Sequence, residues 1–437
     1  MTRTAALSAF TAVGAASLAS PALAAPALLA HQAPLVIDNA ATAWILTSTA
    51  LVLLMTLPGL ALFYGGMVRK KNIISVIAQS AAAFALVSVL WFLVGYSLSF
   101  GKGPDAVNGL IGGVQAAFLN GVTMQTAHSL LPGLPELLFV SFQMTFAIIT
   151  PALIAGAFAE RMKFSASLLF FALWHLIVYA PICHQVWGGG YLGGLGVLDF
   201  AGGAVVHVNA GVAGLVCALV LGPRHGFGRD NMAPANLVYS AIGTGLLLVG
   251  WIGFNAGSAG AADALAATAA FNTILAAAAA ALGWMAIEWF DRKRPTLLGL
   301  LSGIVGGLVA ITPAAGFVDP KGAFFIGLIA GPACYAGAVW LKHALKYDDS
   351  LDAFGVHGIG GIVGALLTGV FATTSVNALA EGATVWKQAV GLAGAIAWSA
   401  AGTFLVLMIC KFTTGLRVAR DEEVEGLDYT QHGEAIH

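Results

Sequence analysis

Two histidines, His207 and His357, sit in stretches otherwise made of apolar and small residues, AVVHVNAG at 204–211 and FGVHGIGG at 354–361. Both stretches read V-H-x-x-x-G-x-x-G, with Gly211 and Gly214 behind the first histidine and Gly361 and Gly364 behind the second. An ionisable side chain inside a membrane segment is costly and marks a pathway. A lone histidine there reads more simply as a polar tie between helices; two at matched positions favour the pathway. No Cys, Asp or Glu lies nearby at the same depth. Two imidazoles alone make a poor metal site, so neither a metal nor a cofactor is expected. Neutral imidazoles can instead share a proton between ring nitrogens, leaving one donor and one acceptor for the lumen. Burial and a neighbouring imidazolium both penalise charge, so the pair is expected to be largely neutral at pH 7.

A second set of residues is aromatic: Phe142 and Phe146 in FQMTF, Trp187 in HQVWGGGYL, and Trp251 and Phe254 in GWIGFNAGSAG. Taken singly, each ring reads as part of an interfacial aromatic belt. Clustered, with the Ser258 hydroxyl beside them, their π faces would make a site for a small cation. Cation–π attraction is worth about 2 kcal/mol when desolvated, whereas drying an ion costs on the order of tens of kcal/mol. Such rings can recruit a cation but cannot carry it through a dry pore. The cation escapes that cost by shedding a proton and crossing as a neutral amine. Asp199 stands at the N-cap position of the His207 helix, where it satisfies orphan N–H groups and would also shape the outer site electrostatically. Asp349 and Asp352, just before FGVHG, read as a cap for the His357 helix.

The elements that must position these residues follow from composition. The 437-residue chain is 59% hydrophobic and 9% charged, against roughly 25% charged in a soluble domain. Beyond residue 37, eleven apolar runs of at least 20 residues lack Asp, Glu, Lys and Arg: 39–68, 72–101, 137–159, 164–198, 200–223, 231–262, 264–287, 295–318, 322–341, 353–380 and 388–410; the other charge-free stretch, 106–135, falls in the long loop 101–135. A bilayer core needs about 20 apolar residues per helix, and only helices satisfy their own backbone there. The fold class is therefore an all-α polytopic membrane protein with eleven transmembrane helices. Residues 1–25, with Arg3, a weakly apolar middle and Ala22-Leu23-Ala24, read as a cleaved signal peptide. Segments following the odd-numbered runs carry fifteen Lys and Arg, and the opposite loops carry Lys102, Lys321 and Lys387 alone. That bias predicts the N-terminus outside and the C-terminus in the cytoplasm. Cys183, Cys217, Cys334 and Cys410 match no metal or disulfide spacing. A net charge of −1 argues against a nucleic-acid partner.

Eleven helices suggest two five-helix halves and a final helix, with the halves inverted relative to each other. The histidine pattern falls in the fifth and tenth runs. A second echo, G-x-x-x-F-x-x-G, falls in the first and sixth, as Gly59-Phe63-Gly66 and Gly250-Phe254-Gly257. Glycines at +4 and +7 share a face with each histidine, so each histidine lies on a smooth stripe against which another helix can press.

From about residue 40 to the end, the sequence closely resembles the ammonium transporter (Amt/MEP/Rh) family on its bacterial Amt side. The stretches that carry the resemblance are FQMTFAIITPALIAGAFAERMKFSA, HQVWGGGYL, LDFAGGAVVHVNAGVAGL, GWIGFNAGSAG and DAFGVHGIGGIVG. The tail GLRVARDEEVEGLDYTQHGEAI also looks like that family's C-terminal region. The resemblance implies a transmembrane domain over 40–412, a cytoplasmic tail over 413–437, and a homotrimer in the bacterial inner membrane with one pore per subunit. It implies Trp187, Phe146 and Ser258 as the outer ammonium-recruitment site, with Asp199 supporting it. Phe146 and Phe254 match the stacked phenylalanine gate, His207 and His357 the twin histidines, and Trp251 a pore-lining tryptophan. It further implies blockade by a cytoplasmic PII-type protein whose loop enters the inner vestibule. Three rivals stand beside ammonium transport. A passive ammonia or carbon dioxide channel would keep the histidines but lack the cation site. A sensor would need a fused cytoplasmic domain or a dedicated partner. A membrane enzyme would need a nucleophile, metal set or cofactor motif, and none is present.

Overall fold

The computed structural model describes residues 33–34 and 36–436; the segment read as a signal peptide lies outside them. Among the described residues, ten helices are long and apolar enough to cross a membrane. They are α1 (Asn39–Met67), α2 (Lys70–Phe100), α3 (Glu136–Phe158), α4 (Phe164–Gly194), α5 (Gly203–Leu221), α6 (Leu237–Gly257), α7 (Ala264–Arg292), α9 (Pro320–Leu345), α10 (Phe354–Phe371) and α11 (Val385–Thr413). Between α7 and α9 lies the shorter apolar helix α8, Leu297–Ile311. Its charge-free run continues to residue 318, but Pro313 follows the C-cap Thr312 and the chain then turns. Pro313 has no N–H with which to continue the helical ladder, and the chain leaves the helix there. Two short strands, Ala33–Pro34 before α1 and Thr126–Ala127 in the α2–α3 connection, pair antiparallel.

Helices α3 and α5 are the most deeply buried spans, and the others surround them. Glycine sets how closely they pack. A Cβ at Gly250 would stand 2.6 Å from the Leu51 carbonyl of α1, and one at Gly59 would stand 3.4 Å from the Leu247 nitrogen of α6. Both belong to the pattern shared by the first and sixth runs, and they let α1 and α6 meet backbone to backbone. The final segment forms two short helices, α12 (Arg420–Glu425) and α13 (Leu427–His432), folded back on the bundle. There Val418 N donates to Arg161 O at 3.1 Å, Leu427 N to Asn72 Oδ1 at 2.9 Å and Ser75 N to Asp428 Oδ1 at 2.8 Å.

A buried charge network ties the same end of the bundle together. Arg224 donates to Asp348 through its backbone N, Nε and Nη2 at 2.7, 2.9 and 2.8 Å. Its Nη1 lies 3.3 Å from Glu160 Oε2, and Glu160 also accepts from Arg69 Nε at 2.7 Å. Arg161 donates to Asp348 O and Ser350 Oγ, each at 2.6 Å. Burial works against the Asp348 charge, but the hydrogen bonds and charge of Arg224 win and hold its carboxyl below the usual carboxylate range. A depressed carboxyl contributes stability that is complete above its unfolded value, about pH 4, and is lost as pH falls through the folded value. Removing one partner of a buried pair strands the other and costs about 3–5 kcal/mol. Arg224→Met should therefore lower the thermal unfolding midpoint measurably in detergent at pH 7, with the gap to the native protein narrowing below about pH 4. An unchanged midpoint at pH 7 would refute that role for the network.

Candidate functional site

Both histidines stand in widened helical turns. His207 lies in the π-helical turn Gly203–Val208 that opens α5, and His357 in the π-helical turn Phe354–Gly358 that opens α10. Such turns insert a residue into the helical ladder and recur at functional sites. Each turn hangs on a carboxylate eight residues before its histidine. Asp199 Oδ1 accepts from Gly202 N and Gly203 N at 2.8 and 2.6 Å, and its Oδ2 from Ala204 N and Val205 N at 2.8 and 3.0 Å. Asp349 accepts from Ala353 N at 3.0 Å and Phe354 N at 2.7 Å. The pairing Asp199–His207 and Asp349–His357 repeats one spacing, D-x7-H, which is visible in the sequence but was not among the echoes picked out there. Asp352, grouped with Asp349 as a cap, instead pairs with Lys342. Burial pushes the Asp199 carboxyl above the usual carboxylate range, and its four backbone N–H partners pull the other way.

The glycine stripes bring the two histidines together. A Cβ at Gly211 would stand 2.2 Å from Gly358 N, beside His357. A Cβ at Gly361 would stand 2.8 Å from the Val208 side chain, beside His207. The contacts are reciprocal, as a two-fold relation between the halves requires. The result is a His357 Nδ1···His207 Nδ1 distance of 3.3 Å, with the rings stacked at 22° and centroids 5.4 Å apart. Only one of the two nitrogens can carry the proton of that hydrogen bond, so the rings hold opposite tautomers. His207 Nε2 is buried with no partner among the described residues. We predict that Gly211→Val, which keeps both histidines, forces the helices apart. Transport by the purified variant in vesicles should fall at least about tenfold, the consequence of losing one buried hydrogen bond of about 1–3 kcal/mol. Native rates would refute the packing argument.

The histidines border a narrow cavity of about 10 Å³, lined also by Leu60, Phe63, Ile149, Leu153 and Trp251. That is close to the room a single water-sized molecule needs. Trp251 stacks on His207 at 5.2 Å and its indole N–H donates to Thr312 Oγ1 at 2.8 Å. Rings continue in one direction from the pair. His207 faces Phe254 at 5.9 Å, Phe254 faces Phe146 at 4.3 Å, and Phe146 meets Trp187 edge-on at 5.9 Å. Phe146 and Phe254 are completely buried and in contact, so passage between them requires the rings to turn. Trp187 donates its indole N–H to the carbonyl of Asp199 at 2.8 Å, which fixes the ring to the α5 cap. Ser258 caps α6, and its hydroxyl donates to Phe254 O at 2.8 Å. Phe142 packs on Phe146 at 5.0 Å. Sequence reasoning named these residues. It did not mark Leu60 and Phe63 as cavity residues, because an apolar residue facing a lumen carries no mark that distinguishes it from one facing a neighbour.

The arrangement is a line of rings leading to two imidazoles beside a narrow, mostly apolar cavity of one-molecule size. Comparison with known proteins follows the same line. Residues 43–436 match the model of the Ammonium Transporter Family. An ammonium transporter of Bacillus subtilis (strain 168) is 50% identical over 398 residues, covering 88% of this chain and 95% of the relative. An ammonium transporter of Aquifex aeolicus is 48% identical, covering 91% and 93%. Among solved structures, Saccharomyces cerevisiae Mep2 superposes with a TM-score of 0.80 at 38% identity, covering 88% of this chain and 91% of that one. A structure titled Sensor Amt Protein gives 0.83 at 32% identity, covering 90% and 98%. With its ten membrane-length helices, this multi-pass membrane protein belongs to the ammonium transporter family.

Proposed function

We propose that the protein takes up ammonium. The cation is recruited at an outer site of Trp187, Phe146 and Ser258, is deprotonated near the Phe146–Phe254 pair, and crosses the histidine cavity as ammonia. The observation that carries this reading is the pairing of a one-molecule apolar cavity with a hydrogen-bonded imidazole pair, Nδ1 to Nδ1 at 3.3 Å. A cavity so dry excludes an ion by the Born term, on the order of tens of kcal/mol, while an imidazole lone pair or N–H can accompany a neutral amine. The proton follows through the histidine pair, because a channel for neutral gas alone cannot concentrate ammonium against a gradient. Asp199 serves the outer site both as the cap that holds Trp187 and as a nearby carboxylate.

The topology we favour places the N-terminus outside and the C-terminus in the cytoplasm of a bacterial inner membrane, on the charge asymmetry of the loops. We favour a homotrimer with one pore per subunit, and a PII-type cytoplasmic regulator. A cavity of about 980 Å³ at the tail-bearing end, lined by Trp284, Glu288, Arg292, Lys342 and Asp352, is large enough for such a partner's loop.

The test is charge movement in proteoliposomes on a solid-supported membrane after an ammonium pulse and a matched potassium pulse. We expect a saturable current with ammonium alone. Absence of current while internal pH still rises would show that ammonia crosses without its proton, and the passive gas channel would replace this reading.

A further inference from the structure

The stretch HQVWGGGYL supplies Trp187 to the outer site, yet its histidine takes no part in the route described so far. His184 stands three residues before Trp187 in α4 and is completely buried. Both of its ring nitrogens meet main-chain oxygens. Nδ1 lies 3.0 Å from Ser99 O at the end of α2, and Nε2 lies 2.6 Å from Asn108 O in the α2–α3 connection. A carbonyl oxygen only accepts, and a neutral imidazole carries one N–H. The doubly protonated ring alone makes both bonds. A neutral ring points one lone pair at a carbonyl oxygen.

The rest of the stretch is built around this contact. A Cβ at Gly188 would clash with Ser99 O and stand 2.6 Å from His184 Nδ1, so glycine there lets ring and carbonyl meet. His184 O accepts from Gly188 N at 3.0 Å and from Gly190 N at 2.9 Å, and Trp187 N donates to Cys183 O at 2.8 Å. The ring and the main chain of one residue thus hold the turn that carries Trp187, while Asp199 O holds its indole. The connection is gripped at two successive carbonyls, since Tyr191 N donates to Gly109 O at 2.8 Å. Asn108 is fixed in turn by its own side chain, whose Oδ1 accepts from Gly103 N at 2.6 Å.

We infer that His184 is a positioning residue for the outer site. Its doubly protonated ring clasps α4 to the end of α2 and to the connection, and loss of one proton loosens the clasp and the seat of Trp187. The inference rests on the recruitment of ammonium at Trp187 proposed above. The surrounding elements hold few other groups that could answer to pH. The last turn of α2, 97–100, has no titratable side chain. Lys102 and Asp105 of the connection are exposed. On α4 itself, Tyr179 and Cys183 are buried and Tyr191 is exposed. The Asp199 carboxylate is committed to four N–H groups of α5. Among the described residues no ion pair involves His184.

The test compares the native protein with His184→Gln, which cannot gain a charge. Currents are recorded in proteoliposomes at about pH 5 and about pH 8, on either side of the ordinary histidine value of about 6.5. Added ammonium stays almost wholly cationic over that range. Near pH 5 we expect half-maximal current to need about three- to tenfold more ammonium in the variant, the effect of one hydrogen bond. Near pH 8 the two proteins should need nearly the same concentration. An equal ratio at both pH values would make His184 a plain brace, or dispensable if that ratio is one, and overturns the inference. A second measurement needs neither transport nor a substituted histidine. In protein made with 5-fluorotryptophan, the fluorine resonance missing from Trp187→Phe is that of Trp187. With His184 in place it is expected to move between the two pH values. A fixed resonance overturns the inference whatever the current does. A moving resonance without ammonium current leaves the clasp standing and counts against the recruitment reading.

Discussion

In His357→Ala, the ammonium-evoked current of reconstituted protein falls by about ten- to a hundredfold, while the protein stays folded with a lowered thermal unfolding midpoint. The size follows from the hydrogen bond between Nδ1 atoms. Removing one partner of a buried pair leaves the other unsatisfied at about 1–3 kcal/mol, and each 1.36 kcal/mol in a barrier is about a tenfold change in rate. The same cost lowers stability, but the helix start survives because the cap at Asp349 remains. His207→Ala should lose as much or more, since it also removes the ring that stacks on Trp251 and Phe254. The two side chains act as one unit through a single shared proton, so the double variant should be no worse than the weaker single one. Losses that multiply in the double variant would mean two independent contributions and would sink the shared-proton reading. Near-native current in His357→Ala would sink the proton route itself.

The second large effect concerns Asp199. Its carboxylate accepts four backbone N–H groups at the start of α5. An ordinary N-cap is worth about 0.5–2 kcal/mol. Asp199→Ala leaves four buried donors without a partner, so the loss should exceed about 2 kcal/mol, and transport should be lost with the fold of the turn that carries His207. Asp199→Asn separates cap from charge. The remaining amide oxygen can keep two of the four bonds, and roughly half the lost stability should return. Current should nevertheless stay near the alanine level if, as proposed, the carboxylate charge serves the outer site, since the Trp187 bond goes to the main-chain oxygen of residue 199 and is present with either side chain. The measurement is a melting curve and an ammonium-evoked current on the same preparation. Recovery of current in step with stability would leave Asp199 a cap and nothing more.

The same carboxylate shows how far a linear reading goes. Asp199 was legible as a cap because a carboxylate before an apolar run has few other uses. Its grip on four N–H groups was not legible, since that depends on the π-turn and on Gly202 at φ 117°. Asp349 was legible as a cap and Asp352 was misgrouped with it; which of two neighbouring carboxylates turns inward depends on Lys342, ten residues back in α9. Ser258 was named for the outer site, and its hydroxyl proves to be bound to Phe254 O of its own helix. The run 295–318 was read as one span, and Pro313 ends its helix at Ile311.

By itself, the sequence determined the membrane class, the helical plan and the matched positions of His207 and His357. These are local properties: in a bilayer each helix must satisfy its own backbone within about 20 residues, so composition read along the chain is enough. Only the tertiary structure decided that Gly211 rests on Gly358 and Gly361 on Val208, that the histidines meet through Nδ1, that the cavity beside them has room for a single small molecule, and that the tail docks on α2 and the α3–α4 connection. Each of these depends on how closely two helices distant in sequence approach. That distance is set by the side chains and the missing Cβ atoms at their crossing, which no single stretch of sequence contains.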